Sequence, residues 1–279
     1  MALSIHTNYS ALTTNTALNK SNNALATNQQ RLGTGLRINS AADDAAGLQI
    51  ATRLNAQSRG MAVASRNSQD AISMMQAAEG ALSEVTDIVL RMKDLATQGA
   101  NGTNDTNEYA ALDAEYTALS AELTNIMGNT SYGDGTKLLT GGKFDTDTNA
   151  DGIDFQIGAG STDKMTVSIA AVADIDLTAL GDLTTQANSV TEIGALNTLL
   201  TNVGEARGQF GANINRLNHT INNLANMKDN TDMAKGRIMD ADFAIESANM
   251  SKNSMLMQSG ISMLKQAGQM PGMVMGLLG

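Results

Sequence analysis

The 279-residue chain has no cysteine and only two histidines, His6 and His219. The absence of cysteine excludes a disulfide framework, a thiolate nucleophile and a cysteine-ligated metal. Neither histidine has a second histidine or a carboxylate cluster beside it at metal-ligand spacing, so we interpret both as surface or partly packed residues. These absences favour a protein that is not an enzyme and that has no catalytic, cofactor-binding or metal site.

Positive charge and long hydrophobic runs are also scarce. The 28 acidic residues outnumber the 18 basic ones, and a net charge of −10 repels phosphate backbones, so no nucleic-acid binding is expected. No run of about 18 apolar residues occurs, so we expect no membrane insertion. The first lysine is Lys20, and no continuous apolar stretch follows the start, which argues against a cleaved signal peptide.

The chain is rich in helical periodicity instead. Between Asp44 and Ala96, two rows of mostly apolar or small residues repeat every seven positions, as in a coiled coil. The rows are Leu54, Met61, Ser68, Met75, Leu82, Val89 and Ala96, and Ala64, Ala71, Ala78, Val85 and Met92. Ser40 and Asp43 have the spacing of a capping box before this helix. A helix of this length would span about 80 Å, too long for a compact globule.

Both ends of the chain carry narrow apolar rows with the same seven-residue repeat. The N-terminal row contains Leu18, Leu25 and Leu32; the C-terminal rows contain Phe243, Met250, Met257 and Leu264, and Leu256 and Met263. An isolated helix with so narrow a stripe is marginal in water. We therefore expect both ends to be disordered when free and to fold only against partners.

Residues 129–185 differ in composition and period. Apolar residues alternate over 153–157 and again over 165–169, and the polar loop between them predicts a β-hairpin. The complete pattern predicts a mainly α protein: an elongated, antiparallel, coiled-coil-like helical bundle with a small β-hairpin insert and no large outer domain.

The acidic loop at residues 145–154 contains the candidate cation site. Asp147 to Gly152 match the first half of a calcium-binding loop, in which short oxygen-bearing side chains alternate. The twelfth position is Gly158, where such a loop needs a bidentate glutamate. We interpret the segment as a solvated acidic turn and keep calcium binding as the alternative.

Several segments resemble bacterial flagellins. Residues 31–48, RLGTGLRINSAADDAAGL, are similar to the N-terminal signature of that family, and residues 66–73 and 77–82 are similar to the helix that follows. Residues 237–244 and 263–271 resemble the start and the end of the family's last helix. The motifs stand in the family's order and lie in both halves of the chain.

The resemblance implies a structural subunit of the extracellular flagellar filament, which is a helical homopolymer used for swimming. The apolar rows at the two ends would pack in the polymer core and fold on assembly. The implied segments are an inner-tube helix at 1–43, outer-tube helices at 44–128, the small β region at 129–185, an outer-tube helix at 186–232 and an inner-tube helix at 233–279. Implied partners are a flagellar export chaperone, the type III export apparatus, and the filament cap and hook–filament junction proteins.

The resemblance also implies recognition by a host Toll-like receptor. Arg91, Leu95 and Glu115 match contact positions of the family pattern, whereas Leu90 stands where glutamine is common. An alternative interpretation is that Arg91 and Glu115 are solvated helix charges that serve assembly.

Two other functions fit the same patterns. A hook–filament junction protein has related termini but caps a structure in few copies. A non-flagellar coiled-coil scaffold would carry more Glu and Lys beside its apolar rows than this chain does.

Overall fold

The computed structural model describes residues 7–278, so His6 lies outside the described residues. The described chain is mainly helical. Its helices are α1 (Tyr9–Thr34), α2 (Ala45–Gly99), α3 (Thr106–Asn129), α4 (Ala170–Ala173), α5 (Gln186–Met239) and α6 (Phe243–Leu278). Its strands are β1 (Ser131–Tyr132), β2 (Thr136–Lys137), β3 (Ile153–Gln156) and β4 (Lys164–Val167). The predicted helical bundle with a small β insert and no large outer domain is confirmed.

The predicted β-hairpin is formed by β3 and β4. The two strands pair antiparallel, with Ile153 opposite Val167 and Phe155 opposite Met165. A second antiparallel pair, β1 with β2, surrounds the turn at residues 133–135. Within residues 7–278 no helix is long and apolar enough to cross a membrane.

Helix starts follow capping chemistry, with one correction to the sequence-based prediction. α3 begins with a full capping box, in which the Asp105 side chain accepts from Glu108 N and the Glu108 side chain accepts from Asp105 N. At α2 the capping side chain is Asp44, whose Oδ1 accepts from Gly47 N at 2.8 Å. Asp43 lies in the preceding turn, where the backbone N–H groups of residues 39 and 40 donate to its carboxylate and lower its pKa.

The chain divides into two compact units. The terminal unit comprises residues 1–56 and 230–279, and the central unit comprises residues 57–229. α2 and α5 each contribute to both units. The predicted boundary between 232 and 233 falls within α5, which continues to Met239.

The central unit has one continuous hydrophobic core, built from α2, α3, α5 and the β region. The largest side chains in it include Met75, Leu82, Tyr116, Leu123, Phe144 and Phe210. Phe144 and Phe210 pack edge to face with ring centroids 4.9 Å apart. This core joins the β region to the long helices without a separate domain.

The β3–β4 hairpin packs directly on α2. Asn67 Nδ2 donates to Gln156 O at 3.2 Å, and the loop residue Ala159 lies against Gly60. A Cβ at position 60 would come within 2.7 Å of the Ala159 Cβ, so only glycine allows this close approach.

Candidate functional site

The terminal unit is built on an antiparallel pair of helices, α1 and α6, which we call the terminal helix pair. Near one end of the pair Arg31 contacts Glu246; near the other, Asn8 Nδ2 donates to Ala267 O at 2.7 Å. Leu18 lies against Gly260, where an added Cβ would be 3.1 Å from its Cδ1. The pairing brings the predicted N- and C-terminal rows into one unit.

The predicted packing residues of the pair differ in exposure. Six of them are half-buried: Leu18, Leu25, Leu32, Met250, Met257 and Leu264. Phe243, Leu256 and Met263 are instead exposed, at 69%, 48% and 62%. Phe243 is the first residue of α6, and the Arg31–Glu246 contact places it opposite the last residues of α1, where no further turn covers it.

Exposed apolar side chains lie on more than one side of α6, outside its contact with α1, and we call them together the apolar face of the terminal helix pair. On α6 this face also contains Ile245, Met255 and Ile261, and on α1 Tyr9 and Leu12 are exposed. Leu256, Met263 and Leu18 line an open groove of about 300 Å³ between the helices. A run of exposed apolar side chains of this extent is typical of a surface that is covered by another protein.

A polar cluster is buried in the terminal helix pair, and the sequence analysis did not identify it. Arg31 Nη1 donates to Glu246 Oε1 at 3.1 Å. With the Asn28 amide oriented to satisfy its neighbours, its nitrogen donates to Glu246 Oε2 at 3.1 Å and its oxygen accepts from Asn253 Nδ2 at 3.1 Å. Asn28 and Glu246 are each only 7% exposed. The available signal was that Glu246 is the one carboxylate in the sequences of α1 and α6.

The residues matched to the receptor pattern lie in the central unit, on α2 and α3. The Arg91 guanidinium donates to Glu115 Oε1 from Nη2 at 2.6 Å and from Nε at 2.9 Å. This ion pair is about half exposed. Leu95 is 2% exposed and belongs to the core, so its side chain is not on the surface as a direct contact would require. The surface feature at this position is the Arg91–Glu115 pair.

A second buried polar site, which the sequence analysis also missed, holds α3 against α5. The Tyr116 hydroxyl donates to Glu192 Oε2 at 2.7 Å, and Gly181 N donates to Glu192 Oε1 at 2.8 Å. Burial raises the pKa of Tyr116, and the carboxylate of Glu192 raises it further. Both carboxylate oxygens have partners, so the site is a structural tie between elements.

Asp145 organises the acidic loop through hydrogen bonds to backbone N–H groups. The Asp145 carboxylate is buried and accepts from Gly141 N at 2.7 Å and from Asp147 N at 2.9 Å. Over residues 7–278, no three His, Cys, Asp or Glu side chains come together in a group that could hold a metal ion.

Comparison with known proteins matches both ends of the chain to the same family. Residues 5–143 match the family model for the bacterial flagellin N-terminal helical region, and residues 193–278 match that for the bacterial flagellin C-terminal helical region. Flagellin A of Vibrio anguillarum is 36% identical over 385 aligned positions, and polar flagellin C of Vibrio parahaemolyticus is 35% identical over 384. Each alignment covers 100% of both chains.

The comparisons also show that this chain is shorter than the flagellin it aligns with. The first alignment runs over 385 positions against 279 residues here, so 106 positions have no counterpart in this chain. Among solved structures, a putative flagellar hook-associated protein from Vibrio parahaemolyticus is similar with a TM-score of 0.56. It is 17% identical and covers 71% of this chain and 100% of that one, which is a likeness of fold.

Proposed function

This chain belongs to the bacterial flagellin family, whose members are structural subunits of the extracellular flagellar filament, and on that premise we propose that its terminal helices become ordered by packing against copies of the same chain. The observation that carries the proposal is the apolar face of the terminal helix pair. Phe243, Leu256 and Met263 are exposed in the single chain. Phe243 belongs to the same seven-residue repeat as the half-buried Met250, Met257 and Leu264, whereas Leu256 and Met263 form a separate row.

The energetics support folding coupled to assembly. Ordering a helix costs conformational entropy at every residue, and the half-buried rows of the terminal helix pair offset only part of that cost. Covering the exposed apolar face with neighbouring subunits would remove more apolar surface from water. A head-to-tail contact of this kind repeats without closing, and therefore builds a helical filament.

The proposal assigns roles to the segments of the chain. Residues 1–43 and 233–279 would form the inner tube of the filament, residues 44–128 and 186–232 the outer tube, and residues 129–185 the small β region. Export through the flagellar type III apparatus, with its chaperone, would deliver the subunit to the filament cap without a cleaved signal peptide. A chain whose ends order only on arrival is suited to passage through a narrow channel.

Removal of residues 240–279 tests the proposal. The truncated chain should keep the melting transition of the central unit, because that core lies within residues 57–229. It should not extend filament fragments used as seeds, as observed by electron microscopy. Growth of normal filaments from the truncated chain would contradict the proposal.

Two point variants give a matched test of the apolar face. Leu256→Glu and Gln258→Glu both add one negative charge at an exposed position of α6. Leu256→Glu should abolish seeded growth, because it places a charge in the surface to be covered. Gln258→Glu should still support growth. A parent chain that caps the seeds without elongating them would favour the hook–filament junction function instead.

We further propose that the Arg91–Glu115 pair contacts a host Toll-like receptor. The pair is exposed on α2 and α3, and an arginine-centred contact is typical of an interface hot spot. Leu95, buried beneath it, would act by holding α2 in place.

Receptor activation by variants with one charge changed tests this second proposal. Arg91→Ala should reduce the potency of the purified chain on receptor-expressing reporter cells by more than about tenfold. Arg66→Ala, which removes an exposed arginine elsewhere on the same helix, is the matched control and should leave potency unchanged. Equal potency for Arg91→Ala and the parent would reject the contact.

A further inference from the structure

The apolar rows of the terminal helix pair do not by themselves define one alignment of the two helices. Leu18, Leu25 and Leu32 repeat every seven residues on α1, and Met250, Met257 and Leu264 repeat every seven on α6. Sliding one helix along the other by seven residues therefore brings leucine against methionine or leucine again. The apolar rows alone therefore discriminate only weakly between the native register and its one-heptad slips. Backbone hydrogen bonds join the two segments just outside the pair, where Arg37 N donates to Met239 O and Ala241 N donates to Gly35 O.

The buried polar cluster does not have this degeneracy. Glu246 is the only carboxylate within the sequences of α1 and α6, and Arg31 and Lys20 are the only cations of α1. In the observed register Glu246 faces Arg31 and Asn28. A slip of seven residues toward the start of α1 would place it against Ala24 and Ser21; a slip the other way would carry it past Thr34, the end of α1.

Either slip would leave the Glu246 carboxylate without its cation and without the Asn28 amide. A buried charge that loses its partner is strongly unfavourable, whereas an intact buried pair adds little net stability. Arg31 Nε is itself buried without an acceptor among the described residues, so this site is not optimised for the number of hydrogen bonds. A buried polar group that adds little stability in the correct register, but costs much free energy in any other register, is typical of a residue that determines register.

We infer that the cluster of Arg31, Glu246, Asn28 and Asn253 selects the register of the terminal helix pair. These are positioning residues, since they discriminate among packings that the leucine and methionine rows distinguish only weakly. The inference rests on the proposed assembly, because the register is measured in filaments.

The lack of cysteine in the chain allows a direct measurement of register by disulfide cross-linking. Three double variants share Gly260→Cys and carry the second cysteine at Leu18, Ala11 or Leu25. Leu18 contacts position 260 in the structure, and Ala11 and Leu25 lie one heptad to either side of it. Filaments are grown from a small share of these chains among cysteine-free parent chains, so that links between neighbouring subunits are rare. After oxidation, links within one chain are quantified by peptide mass spectrometry.

In the parent background, the 18–260 link should exceed the 11–260 and 25–260 links by at least about tenfold, because slipped registers strand a buried charge. In the apolar variant Arg31→Met/Glu246→Leu, the excess of the 18–260 link should fall by at least about threefold, because a slip no longer strands a buried charge. The Asn8–Ala267 hydrogen bond remains in this variant and keeps some preference for the native register. Lys20→Met removes the other cation of α1, which is exposed, and should leave the parent ratio unchanged.

The charge-swapped variant Arg31→Glu/Glu246→Arg resolves the case in which the apolar variant forms no filaments. It should restore growth and the dominance of the 18–260 link; failure to do so overturns the inference. Dominance of the 18–260 link in filaments of the apolar variant, at the parent ratio, also overturns it. A parent chain that does not form filaments contradicts the proposed assembly, whereas parent filaments with mixed registers contradict the register inference alone.

Discussion

The terminal and central units are built from the same kind of long heptad helix, yet they bury opposite kinds of side chain. In the central unit Met75, Leu82 and Phe210 are fully buried. In the terminal helix pair the apolar rows are only half-buried, and the buried side chains include Asn28 and Glu246. A periodic row is therefore sufficient for a helix, but a third packing element is what converts the row into a core.

The largest contrast is expected from a core leucine of the central unit. Leu82→Ala should lower the free energy of unfolding of the central unit by about 2–5 kcal/mol, because it leaves a cavity in a closed core. Thermal or urea unfolding followed by circular dichroism measures this change. A loss below about 1 kcal/mol would mean that the core is not as closed as the structure has it.

Loss of the buried carboxylate should have the next largest effect. Glu192→Ala removes the acceptor for both the Tyr116 hydroxyl and Gly181 N, and leaving buried donors unpaired should cost about 1–3 kcal/mol in urea unfolding. Glu205→Ala, at an exposed position of the same helix, is the control and should stay within about 0.5 kcal/mol of the parent. Similar values for the two variants would show that the tie between α3 and α5 contributes nothing.

The same site predicts a pH dependence confined to the central unit. The pKa of Tyr116 is raised in the folded chain above its ordinary value of 10.0, so the unfolded chain loses this proton first as pH rises. The stabilisation is complete below pH 10 and is lost above it, by up to about 1.4 kcal/mol per pH unit. Tyr116→Phe should remove this part of the alkaline slope in urea titrations between pH 9 and pH 11, whereas Tyr132→Phe should retain it. Parallel slopes for the parent and Tyr116→Phe would refute the assignment.

The smallest change in monomer stability is expected in the terminal helix pair. Leu25→Ala is the same substitution as Leu82→Ala, but in the dilute single chain it should alter the free energy of unfolding by less than about 0.5 kcal/mol, because its row is half-buried and the pair is marginal alone. Its effect should emerge on assembly as a higher critical concentration for seeded growth. If Leu25→Ala instead lowered the free energy of unfolding of the monomer as much as Leu82→Ala does, the terminal helix pair would be an independent folding unit. The contrast between the two regions would then be wrong.

Much of the fold could be predicted, because helix and hairpin signals are local. The seven-residue rows located α2, and the alternation at 153–157 and 165–169 located β3 and β4. The start of α2 was assigned to the wrong acidic side chain, since Asp43 and Asp44 both have spacing suited to a cap and only the backbone path distinguishes them.

The polar sites could not be predicted in the same way. Arg31 and Glu246 are separated by 215 residues, and Tyr116 and Glu192 by 76. No periodicity along the sequence connects residues so far apart. Each of them is therefore interpreted from sequence as an isolated charge or as one member of a row. Leu95 shows a related limit of sequence. Its similarity to a contact position of the family pattern gave no information about whether its side chain is buried.

Periodicity along the chain was enough to establish long helices, a small β insert and ends with narrow apolar rows, because these depend on residues within a few turns of one another. Three-dimensional packing was needed to establish which rows are covered, which register the terminal helices adopt and where buried charges find partners. Those outcomes depend on contacts between distant segments, whose energies no single stretch of sequence contains.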